Sequence, residues 1–351
     1  MRVLLLAGTG AIGTHLVNLL SRSNNETVVT SRKLLISREK VLYKQGNARD
    51  IKFLRALLRK NWDVIIDFLV YSTPDFKQRI DLILNATSQY IYLSSARVYA
   101  DSETTITENS PRLLEVAQNK EFLSSDEYSL SKARQEDILL KSGKTNWTII
   151  RPYITYSEKR LQLGVLEKED WLFRALLGKT IVLPEEMMSK KTTLTYGLDV
   201  SKGIMSVINN PEALGEIYQI TGKESCSWNE ILAVYMDVIE KQIGRKPKVL
   251  LQNLKGFSEC HPRIYQTKYD RLFNRQFDSS KIGQYVNVEN FTGIREGIIY
   301  CLNQILKKPK FNAINWKAEA LRDKLTQEFT PLKEIQALKQ KIKYMVYRYL
   351  V

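Results

Sequence analysis

Residues 1–13 read MRVLLLAGTGAIG. Val3 to Leu6 are all apolar, where a strand with one wet face would alternate. The run therefore reads as a strand covered on both faces, as in a parallel sheet. Gly8, Gly10 and Gly13 follow directly, ahead of a helical stretch at 14–21. Glycines at this spacing allow a tight turn and let backbone N–H groups approach a pyrophosphate. A helix that opens there adds its dipole. With Ala11 and Ile12 between them, these glycines are the candidate cradle of a dinucleotide. The stretch is too short for a secretory signal and leads into no small-residue cleavage site.

Working outward, the pattern repeats. Strands are expected at 26–30, 63–70, 90–94 and 147–151, and helices at 51–59, 75–86 and 128–141. Such alternation implies βαβ units, an α/β fold with a doubly wound parallel sheet. Beyond Pro152 the elements shorten: helices at 171–177, 200–209 and 228–241, strands at 192–195 and 216–220. This organisation predicts a dinucleotide-binding domain over 1–155, with 192–210 returning to it. A smaller substrate lobe over 156–310 and a C-terminal helical extension over 311–351 complete it.

Composition narrows the class. The chain has 351 residues, 44% of them hydrophobic, enough for a sizeable core. No apolar run reaches the roughly 18 residues of a membrane span. Cys226, Cys260 and Cys301 are widely spaced and odd in number, which suits a reduced, cytoplasmic protein. His15 and His261 are the only histidines, and neither sits near a ligand cluster, so no metal is expected. The net charge of +15 points to phosphate-bearing substrates, polyanions or anionic surfaces, or to a solvated basic face.

Three further sites carry chemistry. An acid is expected near the end of the second strand to hold a ribose diol, but that end reads Thr30-Ser31-Arg32. A hydroxyl followed by arginine suits a 2′-phosphate better, so NADP is expected ahead of NAD. Tyr128 and Lys132 stand four apart in YSLSK, on one face of a helix. An ammonium beside a phenol favours the phenolate, which can then exchange a proton with a hydroxyl. Ser94 and Ser95 end the YIYLSS strand, where ligands of parallel sheets bind.

Together these residues resemble the extended short-chain dehydrogenase/reductases, the NAD-dependent epimerase/dehydratase family. LSSARVYA (93–100) is similar to the family's SSxxVYG segment and implies Ser95 as the catalytic serine, with Tyr128 and Lys132 as its partners. GNARD (46–50) resembles GDxRD and implies that Asn47 and Ala48 lie near the adenine. Phe68 and Leu69, after the fourth strand, and Pro152, in IIRPYITY (149–156), are implied to line the cofactor site. TYGLDVSKGI (195–204) and LGEIYQITG (214–222) resemble two later family segments. The resemblance runs to about residue 305 and implies a Rossmann-like domain, a nucleotide-diphosphate sugar as substrate and a homodimer. Three departures stand out. Ala7 replaces the first glycine of GxxGxxG, Asp67 stands where many members have histidine, and the segment before YIYLSS is short, trimming the usual dimer helix. The chain thus looks like an atypical branch, one that includes chloroplast stem-loop RNA-binding proteins.

Ala96 and Arg97 replace the acidic pair of the family's dehydratases, so sugar dehydration is not expected. What remains is 4-epimerisation, or 4-ketoreduction with NADPH, with Arg97 at the sugar. Arg263, Lys268, Arg271 and Arg275 surround the place where the family binds a substrate diphosphate, and Arg271 and Arg275 are the candidates. An RNA-binding protein on the same scaffold is the reading of another class, and the intact Tyr128–Lys132 pair argues against it. Finally, Leu332, Ile335, Leu338, Ile342, Met345, Val346 and Tyr349 recur at helical spacing among lysines. This basic amphipathic helix, 332–351, either packs on the protein or a second subunit, or lies on an anionic membrane beside a polysaccharide assembly system.

Overall fold

The computed structural model describes residues 1–261 and 263–350. The chain divides into two compact units, one of residues 1–159, 193–225 and 275–294, the other of 160–192, 226–274 and 295–351.

The first unit is built on seven parallel strands: β1 (Arg2–Leu6), β2 (Glu26–Ser31), β3 (Val41–Gln45), β4 (Trp62–Asp67), β5 (Thr87–Leu93), β6 (Trp147–Pro152) and β7 (Glu216–Ile220). Their order is β7-β6-β5-β4-β1-β2-β3. The α/β expectation and the doubly wound parallel sheet therefore hold. Helices α1 (Gly13–Ser21), α2 (Ile51–Leu58), α3 (Tyr128–Leu140) and α4 (Gly197–Val207) cover the sheet.

The apolar run of β1 shows why both faces are covered. Side chains alternate across a strand. Val3 and Leu5 join Leu16, Val29, Val64, Ile66 and Ile204 in one core. Leu4 and Leu6 join Leu54, Ile65, Tyr90, Tyr92 and Leu139 in another. The helix expected at 75–86 is two short ones, Thr73–Lys77 and Ile80–Leu84. The edge strand β3 has no counterpart in the sequence reading, because exposed Leu42 and polar Lys44 break its apolar pattern.

Strand order reverses between β1 and β4, whose carboxyl ends lie side by side through the pair Leu6–Asp67. This is the switch point at which open α/β sheets bind ligands. The loop after β1 is tight. Ala7 has φ +58°, its N–H donates to Thr30 Oγ1 at 2.8 Å, and a Cβ on Gly13 would meet the Gly8 carbonyl at 2.6 Å.

The second unit has short paired strands, Ile181–Pro184 with Val249–Gln252 and Lys191–Thr192 with Cys226–Ser227. Its buried Arg174 bonds Glu319 and Asp323 at 2.7 and 2.8 Å, and Lys179 reaches the same two carboxylates. The helix Trp316–Leu325 that carries those acids packs on Tyr344 of the helix Leu338–Met345. Among the described residues, no helix is long and apolar enough to cross a membrane.

Ala7 holds a left-handed conformation that disfavours a Cβ by about 1–2 kcal/mol. After the entropy glycine adds to the unfolded chain, Ala7→Gly is expected to raise stability by about 1 kcal/mol in denaturant melts.

Candidate active site

Helix α3 begins on Tyr128. The Glu127 side chain caps it, accepting the Ser129 N–H at 2.7 Å. Its sequence, YSLSKARQEDILL, has a buried face that is largely polar: Ser129, Ser131, Lys132, Gln135 and Glu136 are all buried. Tyr128, Lys132 and Glu136 recur every fourth residue and share that side.

Lys132 Nζ donates to the Leu93 carbonyl at 2.6 Å. It lies 4.5 Å from the centre of the Tyr92 ring and 6.0 Å from that of Tyr128. Burial pushes its ammonium down to about 8, against the nearby carboxylates of Asp67 and Glu136. Asp67 ends β4 and is itself buried, accepting the Leu69 N–H at 2.9 Å and the hydroxyls of Tyr71 and Tyr90 at 2.9 and 3.0 Å. Burial pushes the Asp67 carboxyl up, against those hydrogen bonds. Tyr71 in turn holds α3, its carbonyl accepting from Ser131 and Gln135.

The two serines at the end of β5 behave differently. Ser94 donates to Glu136 Oε1 at 2.5 Å. Ser95 Oγ accepts the Arg97 N–H at 3.2 Å and caps the turn Ala96–Val98. The Arg97 guanidinium bonds Glu127 Oε1 at 2.7 Å and stands 5.0 Å from the Tyr128 ring centre. Arg97 and Lys132 thus both stand near the Tyr128 ring, at 5.0 and 6.0 Å from its centre, and Ser95 is tied to the Arg97 backbone.

Glu136 anchors this cluster from beneath. It receives two hydrogen bonds from Arg151, at 2.9 and 2.7 Å, and one from Arg112 at 3.3 Å. Arg151 also reaches the Tyr99 hydroxyl and the Glu108 carbonyl. Pro152 follows it at the carboxyl end of β6. Composition and spacing gave no sign of this network, since Glu136 reads as one more polar helix position.

The remaining cofactor candidates lie at or just beyond the carboxyl ends of β1 to β4. Helix α1 starts without a side-chain cap and without an acid in its first turn. Two of its leading N–H groups are taken, that of Thr14 by the Gly10 carbonyl at 3.1 Å and that of His15 by the Ile12 carbonyl at 3.0 Å, so what this end offers an anion is chiefly the helix dipole. Ala11 and Ile12 lead into it, and nothing lies within 4 Å of a Cβ placed on Gly10, leaving open space for close approach. Lys159 Nζ stands 3.3 Å from Thr14 Oγ1 in the first turn. A cavity of about 770 Å³ is lined by Gly8, Thr9, Ser31, Arg32, Lys33 and Arg38, among others. Asn47 and Ala48 follow β3, and Phe68 and Leu69 follow β4, with the Phe68 N–H on the Leu6 carbonyl at 3.0 Å. An uncapped helix end, an open glycine and a cation-lined cavity suit a dinucleotide.

A second network passed unnoticed in the sequence. Glu158 accepts from His15 Nε2 at 3.2 Å and from the Tyr196 hydroxyl. Burial pushes its carboxyl up, but these two bonds outweigh that and hold it at about 2. They tie the segment after β6 to α1.

Arg271 and Arg275 are not exposed cations. Arg275 is buried, donating to the carbonyls of Tyr99 and Ala100 at 2.9 and 2.8 Å. Arg271 belongs to the second unit, buried against the Gly164 carbonyl and the Asp270 carboxylate. Both guanidiniums serve internal acceptors here, which a basic stretch of sequence does not reveal.

Comparison with known proteins adds four findings. A family model described as the NAD dependent epimerase/dehydratase family matches residues 3–221. The chain is 26% identical over 241 residues to the chloroplast stem-loop binding protein of 41 kDa b from Arabidopsis thaliana, covering 64% of this chain and 59% of that protein. It is 23% identical over 250 residues to mitochondrial NADH dehydrogenase (ubiquinone) 1 alpha subcomplex subunit 9 of Dictyostelium discoideum, covering 65% and 61%. The match thus spans about three fifths of these curated relatives' length. Among solved structures, UDP-glucuronic acid 4-epimerase from Bacillus cereus, in complex with UDP-glucuronic acid and NAD, aligns with a TM-score of 0.65 at 17% identity. That alignment covers 88% of this chain and 100% of that one, a likeness of fold.

Removing one member of a buried ion pair leaves its partner uncompensated, at a cost of about 3–5 kcal/mol. Glu136→Leu is expected to lose that much stability, read as a lower denaturant midpoint.

Proposed function

The chain belongs to the NAD dependent epimerase/dehydratase family, and on that basis we propose that it is a nucleotide-sugar 4-epimerase using NAD(P) and a Ser95–Tyr128–Lys132 site. The observation that carries this reading is that two cations stand near the Tyr128 ring, Arg97 at 5.0 Å and Lys132 at 6.0 Å from its centre. The Ser95 hydroxyl is held two residues before Arg97, accepting its backbone N–H at 3.2 Å.

The nicotinamide, when bound, supplies the acceptor and donor of hydride. Gly8, Gly10, Ala11, Ile12 and Gly13 would hold its diphosphate, Asn47 and Ala48 the adenine, and Phe68, Leu69 and Pro152 the rest of the dinucleotide. The protein's own work is proton transfer. Tyr128 takes the proton of the sugar 4-hydroxyl as the carbon is oxidised and returns it when the carbon is reduced. Ser95 donates a hydrogen bond to the 4-oxygen and steadies charge that develops there. Lys132 and Arg97 supply positive charge near the Tyr128 ring. Lys132 has three N–H donors and gives one to Leu93, which fixes the ammonium in place. Dehydration would need an acidic pair after Ser95, where Ala96 and Arg97 stand. A nucleoside-diphosphate sugar fits the family, and the Bacillus cereus relative is named for UDP-glucuronic acid.

One observation supports a second reading. No carboxylate ends β2, and Arg32, Lys33 and Arg38 line the cavity beside it. Three cations suit the 2′-phosphate of NADP(H), the usual reductant, and so favour a 4-keto-sugar reductase over the same residues. Binding of RNA has the Arabidopsis relative's name and the net charge of +15 in its favour. Against it stands Lys132, a buried ammonium that a binder would not need.

Turnover assayed on UDP-sugars is expected to fall about 10²–10⁴-fold in Tyr128→Phe, which keeps the ring and removes the proton carrier. An unchanged rate would sink the catalytic assignment. Lys132 is charged below its folded value of about 8 and neutral above it, so the rate is expected to decline above that pH. Asp67→Asn removes a carboxylate that holds the ammonium up, and should move the decline to lower pH.

A further inference from the structure

The end of the second unit packs by one face and leaves another uncovered. Ile335 and Tyr344 are buried with Trp316 and Ala320. The Tyr344 hydroxyl donates to Asp323 at 2.6 Å and accepts the Thr330 N–H at 2.8 Å. Those bonds fix which side of the helix Leu338–Met345 faces inward. The opposite side carries Leu338, Ile342, Met345 and Tyr349, which are 72%, 57%, 37% and 56% exposed. Their spacing of four, three and four residues forms a single stripe along the helix and the turn that continues it. Leu350, 80% exposed, extends it. Lys339, Lys341, Lys343 and Arg348 flank the stripe, and no acid occurs between 338 and 350.

We propose that this face docks on an anionic lipid bilayer, the apolar stripe entering the boundary between headgroups and acyl chains while the lysines and Arg348 meet lipid phosphates and carboxylates. Each part of the face has a place in that arrangement. A contiguous stripe of large apolar side chains in water marks an interaction surface. Interfacial helices bury such a stripe along the membrane plane, with cations on the polar side. A second copy of this chain fits poorly. A two-fold interface sets the same patch against itself, so the four cations would face four cations with no acid between them. Nucleic acid would use the cations but give no burial to leucine, isoleucine and methionine. Single-stranded ligands stack on aromatic platforms, and binding to the duplex is set by phosphate contacts.

The test is flotation of the full-length protein with vesicles. Binding is expected to vesicles of equimolar phosphatidylserine and phosphatidylcholine, not to phosphatidylcholine alone, and to weaken as salt rises. Each lysine near such a surface contributes about fivefold, so Lys339→Gln, Lys341→Gln and Lys343→Gln together should weaken binding about a hundredfold. Leu338→Ser and Ile342→Ser should each weaken it about tenfold. Their melting curves should match the parent, because both side chains are exposed. Three results would overturn the proposal. The first is no flotation with anionic vesicles. The second is flotation lost in the lysine variant but untouched by the serine variants, which is bare polyanion attraction and would be matched by retention of a single-stranded RNA. The third is a dimer in sedimentation equilibrium that the serine variants dissolve, which would assign the face to a second copy. None of these readings depends on sugar turnover.

Discussion

Glu136 lies on α3 with no solvent around it, and a carboxylate in that position costs several kcal/mol unless its oxygens are fully occupied. Arg151 supplies two hydrogen bonds, Arg112 and Ser94 one each. These partners come from the carboxyl ends of β5 and β6 and from the segment between β5 and α3. Because Tyr128, Lys132 and Glu136 repeat every fourth residue, fixing Glu136 fixes the rotation and height of α3 against the sheet. Lys132 then meets the Leu93 carbonyl, and Tyr128 lies one turn further toward the helix N-terminus, beside Arg97. The cluster is a consequence of where one buried carboxylate can be satisfied.

The departures from the family pattern fall on the same framework. Asp67, where many members have histidine, gathers two tyrosine hydroxyls and a backbone N–H, and its charge helps keep Lys132 protonated. A histidine could not supply that negative field. Ala7 occupies the glycine position at φ +58° and tolerates the strain because its N–H is held by Thr30. Both changes preserve the geometry of the switch point while altering how it is held. The absence of a carboxylate at the end of β2 leaves the architecture of the switch point alone.

Much of the first unit was legible because its signals are local. The apolar run of β1 and its glycines are contiguous, and the Tyr–Lys spacing shows itself within five residues. The long-range parts were not legible. Nothing local marks Glu136 as buried, and α3 has a polar buried face, the opposite of what periodicity seeks. Arg271 and Arg275 read as candidates for a substrate diphosphate, yet both serve internal acceptors. In the C-terminal segment the apolar repeat was visible, but periodicity cannot say which face is covered. The hydroxyl of Tyr344 decides it, through Asp323. The strands at 181–184 and 249–252 pair across more than sixty residues and gave no local sign.

The central claim is that the switch point holds a nicotinamide dinucleotide for use by Tyr128 and Lys132. It is tested most directly by denaturing the purified protein and measuring the absorbance and mass of whatever small molecule is released. The account expects a dinucleotide, and its mass separates NAD from NADP. One molecule retained per chain would fit recycling within each turnover, as epimerisation requires. An empty protein stabilised by NADPH would instead fit the reductase. An empty protein whose melting temperature responds to neither NAD(H) nor NADP(H) would contradict the account.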